Sequence, residues 1–112
     1  MKVIYVAGPF RAENHWEQEQ NIRRAEQLAL CVWQIGGVAC ICPHTNTRYY
    51  QGACPDDVWL EGDLEILSRC DALLLAPRWR DSVGTLAEKA YAESLDIPVF
   101  DDFEELEKWL KK

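Results

Sequence analysis

The chain has 112 residues, a net charge of −7 and 48% hydrophobic residues. This size and composition are typical of one globular domain with its own core, and they argue against disorder and coiled coil. No apolar run approaches the roughly 20 residues of a membrane helix, so we expect no membrane span. No cleavage site follows the apolar N-terminal run, so we expect no signal peptide. The acidic charge argues against polymeric nucleic acid as a partner, because a polyanion requires a positive surface.

The five cysteines form no CxxC pair and have no partnered histidine; they are Cys31, Cys40, Cys42, Cys54 and Cys70. Zinc sites and redox motifs both require closer sulfur spacing than this. We therefore expect mostly buried thiols in a protein of the reducing cytoplasm. A metal site is not predicted.

Predicted strands and helices alternate along the chain. Continuous apolar runs predict strands at residues 2–7, 38–42, 72–76 and 97–100. Helical spacing predicts helices at about residues 14–35, 60–70 and 85–95, and a last one from 101 or 102 through 110. Fully apolar strands that alternate with amphipathic helices predict an α/β fold, with a parallel sheet of about four strands and helices on both faces.

Four segments follow the carboxyl ends of the predicted strands, where ligands bind in such folds. They are Gly8–Asn14, Pro43–Asp57, Pro77–Gly84 and the entry to the last helix. The second segment shows no periodicity and is long for a connection in a compact domain, which is typical of a binding loop.

Several residues of these segments have both a structural and a functional interpretation. Gly8 and Arg11 fit either a plain strand-to-helix turn or a close approach to an anion, but not a P-loop or a dinucleotide fingerprint. Glu88 completes a capping box with Thr85, or it is an ionised carboxylate that acts as a nucleophile near a helix N-terminus. Asp63 is either solvated surface or part of a site. His44 is either a donor to a ligand or a structural hydrogen-bonding group.

Taken in chain order, these residues resemble a known family. The landmarks are Tyr5-x-Ala-Gly8, Asp63-Leu-Glu-x-Leu-x-x-x-Asp71, Ser82-x-Gly84-x-x-x-Glu88 and Ile97-Pro98-Val99. Across nearly the whole chain they resemble the nucleoside 2-deoxyribosyltransferases and the related deoxynucleoside 5′-monophosphate N-glycosidases. The stretch Pro43-His44-x-Asn46-Thr47 resembles small bacterial and phage members of this superfamily. The resemblance implies a Rossmann-like (flavodoxin-like) three-layer sandwich, with residues 1–112 as a single domain.

The resemblance also implies roles for individual residues. Glu88 matches the nucleophile that attacks C1′ of the sugar, and Asp63 matches its acid/base partner. Tyr5 matches the aromatic residue beside the sugar and is the third catalytic candidate. Candidate substrate-binding residues are Gly8, Arg11, His44, Asn46, Ser82 and Gly84, with the last two at the 5′ end of the substrate. The implied reaction needs no metal and no other cofactor.

One departure from the family pattern concerns the phosphate site. Pro9 stands where the nucleotide-hydrolysing relatives carry a serine, so a hydroxyl and a backbone donor are both missing. Arg11, Ser82 and the Gly84 amide could still bind a phosphate, so the residues do not decide between a nucleoside and a nucleotide substrate. They also do not decide between hydrolysis and transfer. Trp79-Arg80 and Tyr49-Tyr50 are candidate stacking surfaces for a base, with burial or an interface as the alternative.

Three functions compete. The first is a nucleoside- or nucleotide-processing enzyme, which the family resemblance predicts to work as a homodimer or larger homo-oligomer. The second is a catalytically silent module that binds or senses nucleotides on the same fold. The third is an interaction protein that uses a surface rich in tryptophan. Retention of both Asp63 and Glu88 favours the enzyme, because an anionic ligand would bind more easily without two extra negative charges.

Overall fold

The apolar runs form the centre of the molecule. The computed structural model describes all 112 residues. Four strands form one parallel sheet: β1 (Lys2–Ala7), β2 (Val38–Ile41), β3 (Ala72–Leu75) and β4 (Val99–Phe100). The strand order is β2-β1-β3-β4, so the chain leaves β1 toward one edge and later returns to its other side. Such a reversal opens a crevice at the carboxyl ends of the strands.

Helices connect the strands and cover the sheet. They are α1 (His15–Ile35), α2 (Pro43–Asn46), α3 (Asp56–Ser68), α4 (Val83–Ser94) and α5 (Phe103–Leu110), with a 3₁₀ turn at Trp79–Asp81. Asn14 caps the start of α1 by accepting a hydrogen bond from the Glu17 amide. Gly36 ends that helix with a φ of 81°, a conformation that glycine adopts without steric strain. None of these helices combines the length and the apolar character that crossing a membrane requires.

The sheet separates two apolar cores. On one face, Ile4 and Val6 of β1 pack with buried residues of α1 and α5. On the other face, Tyr5 and Ala7 pack with buried residues of α3 and α4. The predicted three-layer α/β sandwich with a flavodoxin-like parallel sheet is therefore confirmed.

The boundaries of several elements differ from the prediction. Helix α3 begins at Asp56 rather than near residue 60, and α4 begins at Val83 rather than near Thr85. The segment predicted as a loop contains the short helix α2. In α3, the first two residues, Asp56 and Asp57, are polar and exposed, so no apolar periodicity marks the start of the helix.

Two contacts hold the ends of β1 close to β3. A Cβ atom on Gly8 would lie 2.7 Å from the Cβ of Ala76, so only glycine fits this approach without a shift. The Asp71 carboxylate, directly before β3, accepts a hydrogen bond from the Val3 amide of β1 at 2.7 Å. These contacts fix the position from which the segment after β1 enters the crevice.

Candidate functional site

A cavity of about 570 Å³ lies in the crevice at the carboxyl ends of the strands. Segments that follow β1, β2 and β3 line it together with the facing sides of α3 and α4. The entry to α5, which was also expected there, does not contribute. Asp101 and Phe103 instead line a second cavity beside the 3₁₀ turn. That expectation was wrong because the site is centred on β1, whereas β4 is the edge strand on the far side of β3.

Glu88 extends from α4 into the wall of the cavity, where Tyr5 holds its carboxylate. The Tyr5 hydroxyl donates a short hydrogen bond to Glu88 Oε2. Tyr5 is fully buried beneath the cavity and is not part of its lining. Burial and the neighbouring Glu88 charge raise the pKa of the Tyr5 phenol, so it stays protonated and acts as the donor. The structure therefore places Tyr5 as a support for the carboxylate.

Asp63 extends from α3 into the same cavity as Glu88. Burial raises the pKa of Asp63 to about 6. Burial also raises the pKa of Glu88 to about 7, an effect that the Tyr5 hydrogen bond opposes and the Asp63 charge reinforces. Two neighbouring carboxyls with pKa values near neutrality can divide the ionised and protonated roles of an acid/base pair.

The capping interpretation of Glu88 is wrong. Helix α4 is capped one turn earlier, by Ser82, whose hydroxyl oxygen accepts a hydrogen bond from the Thr85 amide at 3.1 Å. The buried Thr85 hydroxyl donates to the same oxygen at 2.9 Å. Glu88 therefore takes no part in capping α4, and its carboxylate faces the cavity instead.

His44 holds the segment that follows β1. Its Nε2 lies 2.8 Å from the Pro9 carbonyl oxygen, and only the tautomer protonated at Nε2 can donate to that oxygen. The imidazole is 7% exposed and packs edge-on against Phe10, with the ring centroids 5.4 Å apart. Burial lowers the pKa of His44, which favours the neutral ring. The sequence left open whether His44 is a donor to a ligand or a structural hydrogen-bonding group. In the structure it makes a structural hydrogen bond, and its side chain lies in the cavity wall.

Arg11 and Asp56 form an ion pair at the cavity. The pair joins the segment after β1 to the first turn of α3. Both side chains are largely exposed, by 69% for Arg11 and 48% for Asp56. Solvent screening makes such a pair weak as a source of stability, but it places a carboxylate beside the guanidinium.

The structure brings most of the other predicted site residues together. Gly8, Arg11, His44, Ser82 and Gly84 line the cavity with Asp63 and Glu88. Asn46 is exposed at the end of α2 and lies outside this lining, so the structure does not place it at the site. A Cβ on Gly84 would approach only Ser82 Oγ, at 4.0 Å, so packing within the chain does not require a glycine there.

Helix α3 contributes residues that the sequence did not single out. Asp56, Trp59 and Leu60 line the cavity beside Asp63. They precede Asp63 by seven, four and three residues, respectively, and this spacing places all four residues on one face of the helix. This signal was present in the sequence, but it becomes visible only when the helix starts at Asp56.

The aromatic residues proposed for stacking lie elsewhere. Tyr49 is 84% exposed and Tyr50 packs against Trp59, and neither tyrosine lines the cavity. Trp79 lies beneath the cations of Arg80 and Lys89 and borders the second cavity. Phe10 and Trp59 are the aromatic side chains that the cavity offers to a ligand.

No cluster of three His, Cys, Asp or Glu side chains is arranged to hold a metal ion. All five cysteines are free thiols. Cys42 and Cys70 are buried, Cys31 and Cys40 are half-buried, and Cys54 is exposed, so the expectation of burial is wrong for Cys54.

Comparisons with known proteins agree with the resemblance seen in the motifs. A solved structure of a 2-deoxyribosyltransferase from the psychrotolerant bacterium Bacillus psychrosaccharolyticus is 25% identical, with a TM-score of 0.61. The similarity covers 87% of this chain and 69% of that one. No curated protein sequence matches the chain. Residues 2–101 match the family model described as "Domain of unknown function (DUF4406)", so the protein belongs to that family, which is related to the fold of the 2-deoxyribosyltransferases.

Proposed function

We propose that the protein cleaves or transfers the N-glycosidic bond of a (deoxy)nucleoside or nucleoside 5′-monophosphate through a covalent glycosyl-Glu88 intermediate. The observation that carries this proposal is the position of Glu88. Its carboxylate is held by Tyr5 in the wall of a cavity that also contains Asp63. The similarity to a 2-deoxyribosyltransferase supports a nucleoside as the substrate class.

In the first step, the ionised Glu88 carboxylate attacks C1′ of the sugar. A bond forms between Glu88 and C1′, the bond from C1′ to the base nitrogen breaks, and its electron pair leaves with the base. Asp63, in its protonated form, gives its proton to the departing base. Negative charge close to C1′ stabilises the oxocarbenium-like transition state, as in retaining glycosidases.

In the second step, Asp63 accepts a proton from the incoming nucleophile. Water as the nucleophile yields the free sugar, and the nitrogen of a second base yields a new nucleoside. Either nucleophile forms a bond to C1′ while the bond to Glu88 breaks, which restores the free carboxylate. The cycle therefore needs only the two carboxyls and the hydroxyl that holds one of them.

The Tyr5 hydrogen bond favours Glu88 as the nucleophile. It lowers the pKa of the Glu88 carboxyl against the effect of burial, so it stabilises the ionised form that attacks carbon. No equivalent donor contributes to the pKa of Asp63, which burial alone raises. With pKa values of about 6 for Asp63 and about 7 for Glu88, the two carboxyls share one proton near neutrality, and the reactive form is the one in which that proton lies on Asp63.

The test is release of free base from a panel of deoxynucleosides and their 5′-monophosphates, with and without a second base as acceptor. Glu88→Ala removes the nucleophile, and we expect turnover to fall at least about a thousandfold. Glu107→Ala is the matched control, because Glu107 lies on α5 in the opposite layer of the sandwich and outside the cavity. We expect its turnover to equal that of the wild type.

Each other outcome has a definite meaning. Base release that persists in Glu88→Ala would contradict the covalent intermediate. Saturable nucleotide binding without turnover in the wild type would contradict the enzyme and favour a silent binding module on the same fold. A glycosyl adduct on Glu88, detected by mass spectrometry after trapping with a slow substrate, would support the proposal directly.

A further inference from the structure

The cavity proposed as the active site is strongly acidic. Arg11 is the only Lys or Arg among the residues that line it. The lining carboxylates are those of Asp56, Asp63, Asp81 and Glu88. The buried His44 adds no positive charge, because burial lowers its pKa. The balance of formal charge around a bound ligand is therefore negative, as it is for the whole chain.

The only guanidinium in the cavity lining already forms an ion pair with a carboxylate. Arg11 pairs with Asp56, which lies at the start of α3 and lines the same cavity. A phosphate monoester carries a charge of about −1.5 to −2 at pH 7. It would have to displace Asp56 from Arg11, or bind beside a carboxylate that repels it.

Several hydrogen-bond donors nearby are absent or committed, although the Trp59 indole nitrogen and the first amides of α4 have no partner within the chain. Pro9 has no amide hydrogen, and the His44 side chain donates to the Pro9 carbonyl. The Thr85 amide and hydroxyl both donate to Ser82 Oγ. The carboxylates, in contrast, are acceptors. A sugar hydroxyl can donate to a carboxylate, whereas a phosphate dianion has no hydrogen to give.

We propose that Asp56 is a specificity-determining residue, which denies the Arg11 guanidinium to a 5′-phosphate and makes a nucleoside with a free 5′-hydroxyl the preferred substrate. This inference rests on the proposed function, and it narrows that function to one substrate class. Asp56 acts through Arg11 and takes no part in the reaction at C1′.

The experiment compares kcat/KM for base release from a deoxynucleoside and from its 5′-monophosphate at low ionic strength. Asp56→Asn keeps the shape of the side chain and removes its charge. Asp57→Asn is the matched control: it removes the same charge from the next residue of the same helical turn, which is exposed and outside the cavity lining. Arg11→Ala combined with Asp56→Asn tests whether the freed guanidinium receives the phosphate.

We expect the wild type to prefer the nucleoside. Asp56→Asn shifts the ratio of the two kcat/KM values toward the monophosphate by roughly fivefold, as expected for one solvent-exposed charge pair. Asp57→Asn leaves the ratio at the wild-type value. The double variant loses the shift, because no free guanidinium remains in the cavity.

The outcomes separate this inference from the function on which it rests. A wild type that prefers the monophosphate overturns the role of Asp56 while supporting the enzyme. An equal shift in Asp57→Asn, or a shift that persists without Arg11, also overturns that role. Release of base from none of the substrates overturns the proposed function, and the inference falls with it.

Discussion

The two faces of β1 are equally buried but have different chemical consequences. Ile4 and Tyr5 are adjacent, and both are 0% exposed. Ile4 packs in the apolar layer toward α1 and α5. Tyr5 points to the other layer and carries a hydroxyl, which must find a partner when water is excluded.

The partner of that hydroxyl is a carboxylate, and this brings charge chemistry to one face of the strand. Glu88 accepts the Tyr5 hydrogen bond and is itself removed from water, so its pKa rises to about 7. Because side chains alternate between the two faces of a strand, one face of β1 contributes to core packing and the other supports the reactive carboxylate. Substitutions on the two faces should have different effects on stability and on pH dependence.

The largest expected effect is on the apolar face. Ile4→Ala removes a fully buried side chain from the layer under α1 and α5, so we expect the free energy of unfolding to fall by about 3 kcal/mol. Urea denaturation measures this change. Ile4→Val is the graded control, with an expected loss of about 1 kcal/mol. A loss of less than about 1 kcal/mol in Ile4→Ala would contradict this expectation and would mean that neighbouring side chains move to fill the space.

The second effect concerns the charge of Glu88 and depends on pH. Burial raises the pKa of Glu88 from 4.5 to about 7, so between these values the folded state binds more protons than the unfolded state. The free energy of unfolding therefore falls as the pH rises through this window. Glu88→Gln removes the titrating group. We expect it to be more stable than the wild type by about 1–2 kcal/mol at pH 8, with little difference near pH 4.

Thermal and urea unfolding at both pH values check this expectation. Glu107→Gln provides the control, because it makes the same change on α5 outside the cavity. A stabilisation by Glu88→Gln that is the same at pH 4 and at pH 8 would contradict a cost due to burial of the charge. That result would point instead to a better hydrogen bond with Tyr5.

The fold could be predicted from the sequence because its signals are local. The runs at β1 and β3 are continuously apolar, which only strands buried on both faces require. The start of α3 could not be predicted from periodicity, because its first two residues, Asp56 and Asp57, are polar and exposed. Because the predicted helix began near residue 60, Trp59 was not recognised as lying on the same helical face as Asp63.

Pairings between distant residues escape sequence analysis for a different reason. Tyr5 and Glu88 are 83 positions apart, and Arg11 and Asp56 are 45 apart. Nothing in their local sequence states which partner each will meet. The family resemblance pointed to Glu88, Asp63 and Tyr5 as site residues, whereas the ion pair of Arg11 became visible only when the sheet and α3 were in place.

The smallest effect expected on the reactive face comes from removal of one oxygen atom. Tyr5→Phe keeps the buried ring and removes the hydrogen bond that lowers the pKa of Glu88. The carboxylate should then ionise at higher pH, so the acidic limb of the pH–rate profile moves upward and kcat/KM at pH 7 falls about fivefold, equivalent to about 1 kcal/mol. Tyr91→Phe makes the same change in the same layer outside the cavity, and its profile should match the wild type. A uniform loss of rate at every pH would contradict a role for Tyr5 in setting this pKa, because a positional defect does not depend on pH.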